Sequence, residues 1–290
     1  MSNISKLSSI SPEATIGNDV TIGPFCVIGP DVTLGEGCEL FNHVTITGNT
    51  TIGCNNVFYP NCVIGIAPQD LKYKGTPTET FIGNNNVFRE NVTVHRGTEI
   101  AGGITKIGNN NLLMVGCHIA HDCTLGNYIL LGNLTCLAGH VIIEDYAVVS
   151  AMVGVHHFVS IGKFSYIGGM TPVRRDVPPF MKVSGDPQEV ICVNAEGLRR
   201  NGFEPYEISG LKEAHRALYR SKGETPLLTM QQRLHQLKIN NDICQHVAHL
   251  YRFVSLSCAS QFSRGQEAAR QDKNEDRIRK DSFEIRSKIV

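Results

Sequence analysis

Residues 14–35 read ATIGNDVTIGPFCVIGPDVTLG and repeat an aliphatic–glycine pair at Ile16-Gly17, Ile22-Gly23, Ile28-Gly29 and Leu34-Gly35. The interval is six residues. The same register runs on through Leu40, Ile46, Ile52, Phe58 and Ile64, and returns at Ile82, Phe88 and Val94. After a slip of one residue it resumes at Ile107 and continues through Leu113, Ile119, Leu125, Leu131, Leu137, Ile143, Val149, Val155, Ile161, Ile167 and Val173. A period of six is neither the 3.6 of an amphipathic helix nor the strict alternation of a half-buried strand. It marks a hexapeptide β-helix, in which each repeat cannot bury its apolar face alone and stacks on its neighbours. The period does not set the hand of the coil.

Two residues before each aliphatic there is often a small or β-branched side chain: Ala14, Val20, Cys26, Val32, Cys38, Val44 and Thr50, then Cys62, Cys117, Cys123, Thr135, Val141, Ala147 and Val159. This fits a triangular coil whose sides are short strands. The aliphatic points inward, the small residue sits near a corner, and glycine is expected where the corner needs unusual backbone angles. Five of the ten cysteines fall in the small-residue slot. They read as buried core thiols rather than as disulfide partners or metal ligands.

Two stretches break the repeat. One lies between Ile64 and Ile82 and contains IAPQDLKYKGTPTET; the other is RGTEIAGGIT, Arg96–Thr105. Insertions on a repeat scaffold become loops, often on the binding face. The repeat is expected to stop near Arg174–Phe180, where Pro178 and Pro179 remove strand donors. Beyond it the spacing turns helical over Ile208–Ser221, and Asn241–Leu256 is a second candidate. The expected fold is mainly β: a parallel β-helix over residues 1–180, a small α-helical domain over 181–262, and a charged tail over 263–290. Within that tail Gln266–Lys288 alternates in sign and reads as a solvated helix or a disordered segment.

The 290 residues carry 27 basic and 27 acidic side chains, so overall charge gives no reason to expect a nucleic acid or membrane partner. No apolar run approaches the roughly 18 residues of a membrane span. The start, MSNISKLSSI, lacks the apolar core of a secretory signal. A cytoplasmic location is the expectation.

The chemistry concentrates in Gly116–Asn127, GCHIAHDCTLGN. Three sides of six residues make an 18-residue coil, so His121, Gly139 and His157 stack in one column and Asp122, His140 and Phe158 in the next. His95, His118 and His156 lie close in register. Such a cluster suits general-base catalysis, with His121 as the base because imidazole titrates near neutral pH. Asp122 can orient that ring only if the chain turns a corner there, since neighbours on a strand point apart. The Gly139 N–H can receive negative charge developing on a carbonyl oxygen, or Gly139 can be a turn residue only. The same histidines permit a zinc hydro-lyase with His95, His118 and His121 as ligands. A scaffold that binds without turnover is a third reading.

HIAHDCTLGN, LAGHV (Leu137–Val141), QDLKY (Gln69–Tyr73), VHRGT (Val94–Thr98) and NAEGLRRNGF (Asn194–Phe203) together resemble the UDP-N-acetylglucosamine 3-O-acyltransferases over residues 11 to 265. The resemblance implies a left-handed coil, a homotrimer with sites between neighbouring coils, and no cofactor or metal. It implies transfer of a 3-hydroxyacyl group from acyl carrier protein to UDP-N-acetylglucosamine, the opening step of lipid A synthesis. His121 and Asp122 then match the catalytic dyad and Gly139 the oxyanion donor. Asp70 and Lys72 match residues around the glucosamine and acyl group, and His95, His118, His140 and His156 line the same cleft. Asn194, Glu196 and Arg200 match the nucleotide end, and Gly169 a position that limits acyl length. Where the family usually has His-Gln-Phe, this chain has His156-His157-Phe158, so an imidazole replaces an amide at His157; Asn201 stands where a second arginine is common. An acidic carrier also implies a basic docking patch, for which Lys212, Arg216 and Arg220 share one helical face. The related N-acyltransferases usually carry an extra N-terminal domain, whereas here the repeat begins by Ile16.

Overall fold

The computed structural model describes residues 2–220, 228–239, 244–260 and 263–268. Each turn of the chain contributes one short strand to each of three sheets, of eleven, eight and eight strands. Successive coils pair in parallel: Thr15 lies opposite Thr33 and Ile16 opposite Leu34, one full coil on. The two interruptions lengthen their own coils without breaking the stack, so Val63 still pairs with Thr93, and Thr93 with His118. The hexad aliphatics from Ile22 to Val173 fill one continuous core. Where phenylalanine replaces the aliphatic, Phe58 and Phe88 stack face to face with centroids 4.7 Å apart. Burying each such side chain stabilises the coil by about 1.5–3 kcal/mol, and a side facing the interior along its whole length leaves no room for a polar slip.

The small-residue slot has a second use. The Cys26 thiol donates to the Phe41 carbonyl at 2.8 Å, Cys38 to Gly53 at 3.1 Å, Cys117 to Gly132 at 3.1 Å and Cys123 to Ala138 at 3.2 Å. Thr135 places its hydroxyl 3.0 Å from the Ser150 carbonyl in the same way. Where the slot holds cysteine or threonine, the side chain is small enough for the corner and also donates to the next coil. All ten cysteines are free thiols. Burial pushes Cys62 up to about 12 and Cys117 up to about 11.

The glycines of the repeat have a different cause from the one their sequence context suggests. The left-handed corner conformation falls elsewhere, on residues such as Phe25, Asn55, Asp122, His140 and Phe158. Gly23 and Gly83 have ordinary backbone angles. A Cβ on Gly23 would lie 2.9 Å from the Phe41 carbonyl carbon, and one on Gly83 would lie 2.7 Å from the Gly108 oxygen. Close stacking of backbone on backbone excludes the side chain there.

Pro178 and Pro179 do not end the sheet. They occupy a corner, after which Met181–Ser184 still pairs in parallel with Tyr166–Ile167 and then turns back on Glu189–Val193 in an antiparallel pair. Helices follow: α1 Ala195–Arg200, α2 Pro205–Tyr219, α3 Met230–Ile239, α4 Gln245–Cys258 and the short α5 Gly265–Ala268. A capping box between Glu204 and Glu207, with Pro205 in the first turn, starts α2. Its buried stripe of Ile208, Leu211, Ala214 and Leu218 joins Phe180, Met181, Leu198 and Leu250 in a second core. His249 of α4 ties this layer to the coil through Glu144, at 3.0 Å. The helices expected at Ile208–Ser221 and Asn241–Leu256 correspond to α2 and α4, with Ser221 and residues 241–243 outside the described residues. The largely polar α3 gave no comparable signal. Of the charged stretch Gln266–Lys288, only the part within α5 belongs to the described residues. No helix among the described residues is long and apolar enough to cross a membrane.

Thiol labelling of the native protein tests this packing. Cys54 and Cys136 are exposed and should react first, whereas Cys62, Cys117 and Cys123 should react only on unfolding. Peptide mapping after a brief iodoacetamide pulse reads the order.

Candidate active site

Asp122 lies on a corner, with φ of 60°. That bend lets adjacent side chains meet, and the His121 Nδ1 lies 2.7 Å from the Asp122 Oδ2. The Asp122 carboxylate also accepts from the Thr98 N–H at 2.8 Å and the Thr98 hydroxyl at 2.6 Å. Its own N–H donates to the Thr105 hydroxyl at 2.8 Å. The carboxylate is almost wholly buried, 2% exposed. Three donors make a buried charge tolerable. Both threonines belong to the second interruption, whose chain turns through a 3-10 segment, Glu99–Ala101, before rejoining the coil.

With Nδ1 directed to Asp122, Nε2 is the nitrogen left to face the cleft. Gly139 lies one coil on, and a Cβ there would fall 2.7 Å from the His121 Nε2. Its backbone angle is ordinary, so glycine is needed for the approach to the imidazole and not for a turn. Among the described residues its N–H meets no backbone acceptor. The adjacent column is stacked as expected. His140 packs edge-on to His121 at 5.1 Å and face to face with Phe158 at 4.4 Å.

His121, Gly139, His140 and Phe158 line a cleft of about 840 Å3, with Asp122 behind His121. Asp70 and Lys72, from the first interruption, form one rim, with the Asp70 Oδ2 3.9 Å from the His121 Nε2. The Asp70 carboxylate accepts from the Lys72 N–H at 2.9 Å, which shapes the loop. Arg96 fastens the same loop, donating to the Tyr73 hydroxyl at 3.1 Å and the Gly65 carbonyl at 3.1 Å. His95, His118, His156 and His157 also line the cleft. His118 shares a 2.7 Å hydrogen bond with Thr93. Burial, with His118 and His121 nearby, pushes His95 down to about 4, and burial lowers His118 as well.

Other expected site residues lie elsewhere on the chain. Gly169 is on an exposed corner, and Asn194, Glu196 and Arg200 belong to α1 and its cap, outside this cleft. Asn194 caps α1 and donates to the Phe164 carbonyl at 3.0 Å. Glu196 pairs with Arg199 at 2.9 Å and Arg200 at 3.2 Å. Among the described residues, the groups whose ligand atoms converge closely enough for a metal are His121, Asp122 and His140, not the trio of His95, His118 and His121. Thr98, Thr105, Cys136, Gly154, Arg174 and Glu267 join the site without having been singled out from sequence. Only Thr98, inside VHRGT, stood in a motif that pointed here.

A model of the second domain of UDP-N-acetylglucosamine O-acyltransferases matches residues 176–265, and the bacterial transferase hexapeptide model matches residues 13–48. An acyl-[acyl-carrier-protein]–UDP-N-acetylglucosamine O-acyltransferase of Synechocystis is 42% identical over 222 residues, which are 77% of this chain and 78% of that one. The chain belongs to this acyltransferase family. The solved LpxA of Acinetobacter baumannii, 43% identical, superposes with a TM-score of 0.78 over 82% of this chain and 90% of its own. That of Bacteroides fragilis, a UDP-N-acetylglucosamine acyltransferase 38% identical, does so with 0.83 over 87% and 96%. The coil is left-handed, as in those acyltransferases.

Titration of His95 provides a test of this packing. The folded protein holds the ring neutral down to about pH 4, whereas the unfolded chain protonates it near 6.5. Stability present above 6.5 should therefore be lost as pH falls through 6.5 toward 4. Melting temperatures measured across that window should fall less steeply in His95→Asn than in the unaltered protein.

Proposed function

We propose that this chain transfers a 3-hydroxyacyl group from acyl carrier protein to the 3-hydroxyl of UDP-N-acetylglucosamine, with His121 as general base. The observation that carries the reading is the pairing of His121 with Asp122 beneath a glycine that any side chain would drive into the imidazole. Asp122 accepts a hydrogen bond from the Nδ1–H and so holds the tautomer that leaves Nε2 with its lone pair. Nε2 takes the proton of the sugar hydroxyl as the oxygen attacks the thioester carbonyl. The Gly139 N–H receives the negative charge that forms on that carbonyl oxygen. As the C–S bond breaks, the imidazolium returns its proton to the departing thiolate. Asp122 and the nearby Asp70 stabilise the ring while it is charged.

The histidines of the cleft complete the substrate site. His95 and His118 stay neutral at pH 7 and act as hydrogen-bonding groups rather than as cations. His140, His156 and His157 stand along the other wall, where they can meet the sugar nucleotide. No metal has a place in this scheme, because the Asp122 Oδ2 is already held by His121 and Thr98. Lys212 and Arg216 are exposed on the side of α2 away from its core, while Arg220 stands just past the helix as its extended, exposed C-cap rather than on the expected shared face; the three suit an acidic carrier protein.

The working unit in this reading is a homotrimer in the cytoplasm. Leu134, Met152 and Met170 take the same corner position in successive coils and are 53%, 55% and 74% exposed. Such an apolar stripe beside a cleft suits a closed ring of copies. A neighbouring copy would bring Gly169, Asn194, Glu196 and Arg200 to a cleft that their own chain does not let them reach.

Two measurements test this reading. Purified protein should acylate UDP-N-acetylglucosamine after dialysis against a chelator, and His121→Ala should lose roughly a hundredfold or more in kcat, the scale of a general base. Absence of turnover with every donor length would refute the assignment, and zinc bound to the purified protein together with that absence would favour the zinc hydro-lyase reading. In sedimentation, the unaltered protein should run as three chains, and a Met152→Glu variant should dissociate.

A further inference from the structure

The cleft is built differently at its two ends. Toward the N-terminal coils it is bounded by the polar loop of Asp70 and Lys72. Toward the C-terminal coils its floor follows outward-facing positions of one sheet, where His118, Cys136 and Gly154 lie in strand register. The next bridge, Val155 to Val173, brings Pro172 to the same line. The floor thus changes from imidazole to thiol to glycine to proline. A Cβ on Gly154 would meet nothing within 4 Å, so the floor is open there. Three coil steps of about 4.8 Å carry it roughly 14 Å from the level of His118. This arm has the length and the character of a channel for an alkyl chain.

Arg174 and Glu267 stand at the far end. Glu267 comes from α5, remote in sequence from the rest of the cleft. The segment that carries it is tied down along its length. The Arg264 guanidinium holds the Glu267 carboxylate through Nε at 2.8 Å and Nη2 at 2.6 Å, and donates to the Arg174 carbonyl at 2.9 Å. The Gly265 N–H donates to the Asp176 Oδ2 at 2.8 Å, while the Asp176 Oδ1 accepts from the Ser160 N–H at 2.7 Å. The Asp176 N–H in turn donates to the Ser263 carbonyl at 2.8 Å, and Gln266 reaches the Ser160 hydroxyl at 2.9 Å. Arg264 is buried, 8% exposed. Both guanidinium donors meet the one Oε2 of Glu267, and because the arginine is buried the pair is held more firmly than a surface ion pair.

We propose that residues 263–267 form the end wall of the acyl arm, with Arg264 as its positioning residue and Glu267 as the side chain that closes the arm, a limit on acyl length separate from the one the Gly169 position supplies. The proposal rests on the acyltransferase reading above. A carboxylate facing the cleft repels a diphosphate, which leaves the nucleotide to the histidine-lined wall. An alkyl terminus that reaches the Arg264–Glu267 pair would have to strip a charged group of its partners at no gain. The pair therefore stops the chain more firmly than an apolar side chain would.

The test is a donor series of 3-hydroxyacyl carrier proteins of increasing length, with kcat/KM measured for each length in the unaltered protein and in Glu267→Ala, Glu267→Gln and Arg264→Gln. Glu267→Ala should raise the ratio of long-donor to short-donor kcat/KM by about tenfold or more, the scale of discrimination in an apolar pocket. Glu267→Gln keeps the size of the wall and should move the ratio less. Arg264→Gln should move it in the same direction as Glu267→Ala, a response that a purely structural arginine would not produce. An unchanged length profile in all three variants, with the unaltered protein active, overturns the proposal. So does a rise confined to the KM for UDP-N-acetylglucosamine, which would give the wall to the nucleotide. No turnover by the unaltered protein with any donor overturns the acyltransferase reading itself, and the proposal with it.

Discussion

Coil-on-coil hydrogen bonding in register is the constraint on which the rest of the structure depends. Strand residues donate to carbonyls one coil on, as Val27 does to Val44 at 2.9 Å and Leu112 to Ile129 at 2.9 Å. The stack admits no side chain between backbones at the glycine positions and only a small one at the slots. In return it converts sequence distance into a short step along the axis. Equivalent positions of successive coils become neighbours, so the ring of His121 and the backbone of Gly139 meet without any long-range search by a loop. A site assembled this way inherits the rigidity of the core beneath it, where Ile119, Cys123, Leu137 and Val141 are all fully buried.

A perfectly regular coil would not make this site. On a regular corner the position of Asp122 would project outward with little to hold a carboxylate. The second interruption supplies what the repeat lacks, because it folds Thr98 back over the corner and gives the buried charge two of its three hydrogen bonds. The first interruption supplies Asp70 and Lys72, on a loop fastened by Arg96. The scaffold therefore positions His121, and its irregularities hold its partner Asp122 and close the rim. That division explains why departures from the repeat cluster on the face where the chemistry is.

The same division decides what the sequence discloses. A six-residue period repeated through the coil identifies which residues are buried, and the stacking of coil on coil places His121 with Gly139 and Asp122 with His140 by arithmetic. Backbone crowding is invisible to such arithmetic, which is why Gly23 and Gly83 look like turn residues when their real constraint is the chain stacked against them. Thr98 escapes notice for another reason: its contact with Asp122 depends on the path of an irregular loop, which has no period to read. The prolines mislead in the opposite direction. Pro178 and Pro179 forbid a strand only at their own positions, and the sheet resumes at Met181 once the corner is turned. The helical layer was legible where a strong apolar stripe exists, in α2 and α4, and not in the polar α3.

The end wall carries this reasoning one step further. A coil grows by repetition, so nothing in a hexad tells a groove along its face where to stop. Length discrimination requires a feature that occurs once, placed at a chosen level of the stack. Here that feature is brought from the far end of the chain and fixed by Asp176, a side chain of the last coil that accepts from Ser160 on one oxygen and from Gly265 on the other. Asp176 thus joins the final repeat to the segment that crosses it. Because the coil and the crossing segment are held by the same carboxylate, the level of the wall is locked to the register of the strands, and a groove measured in coil steps acquires a defined end.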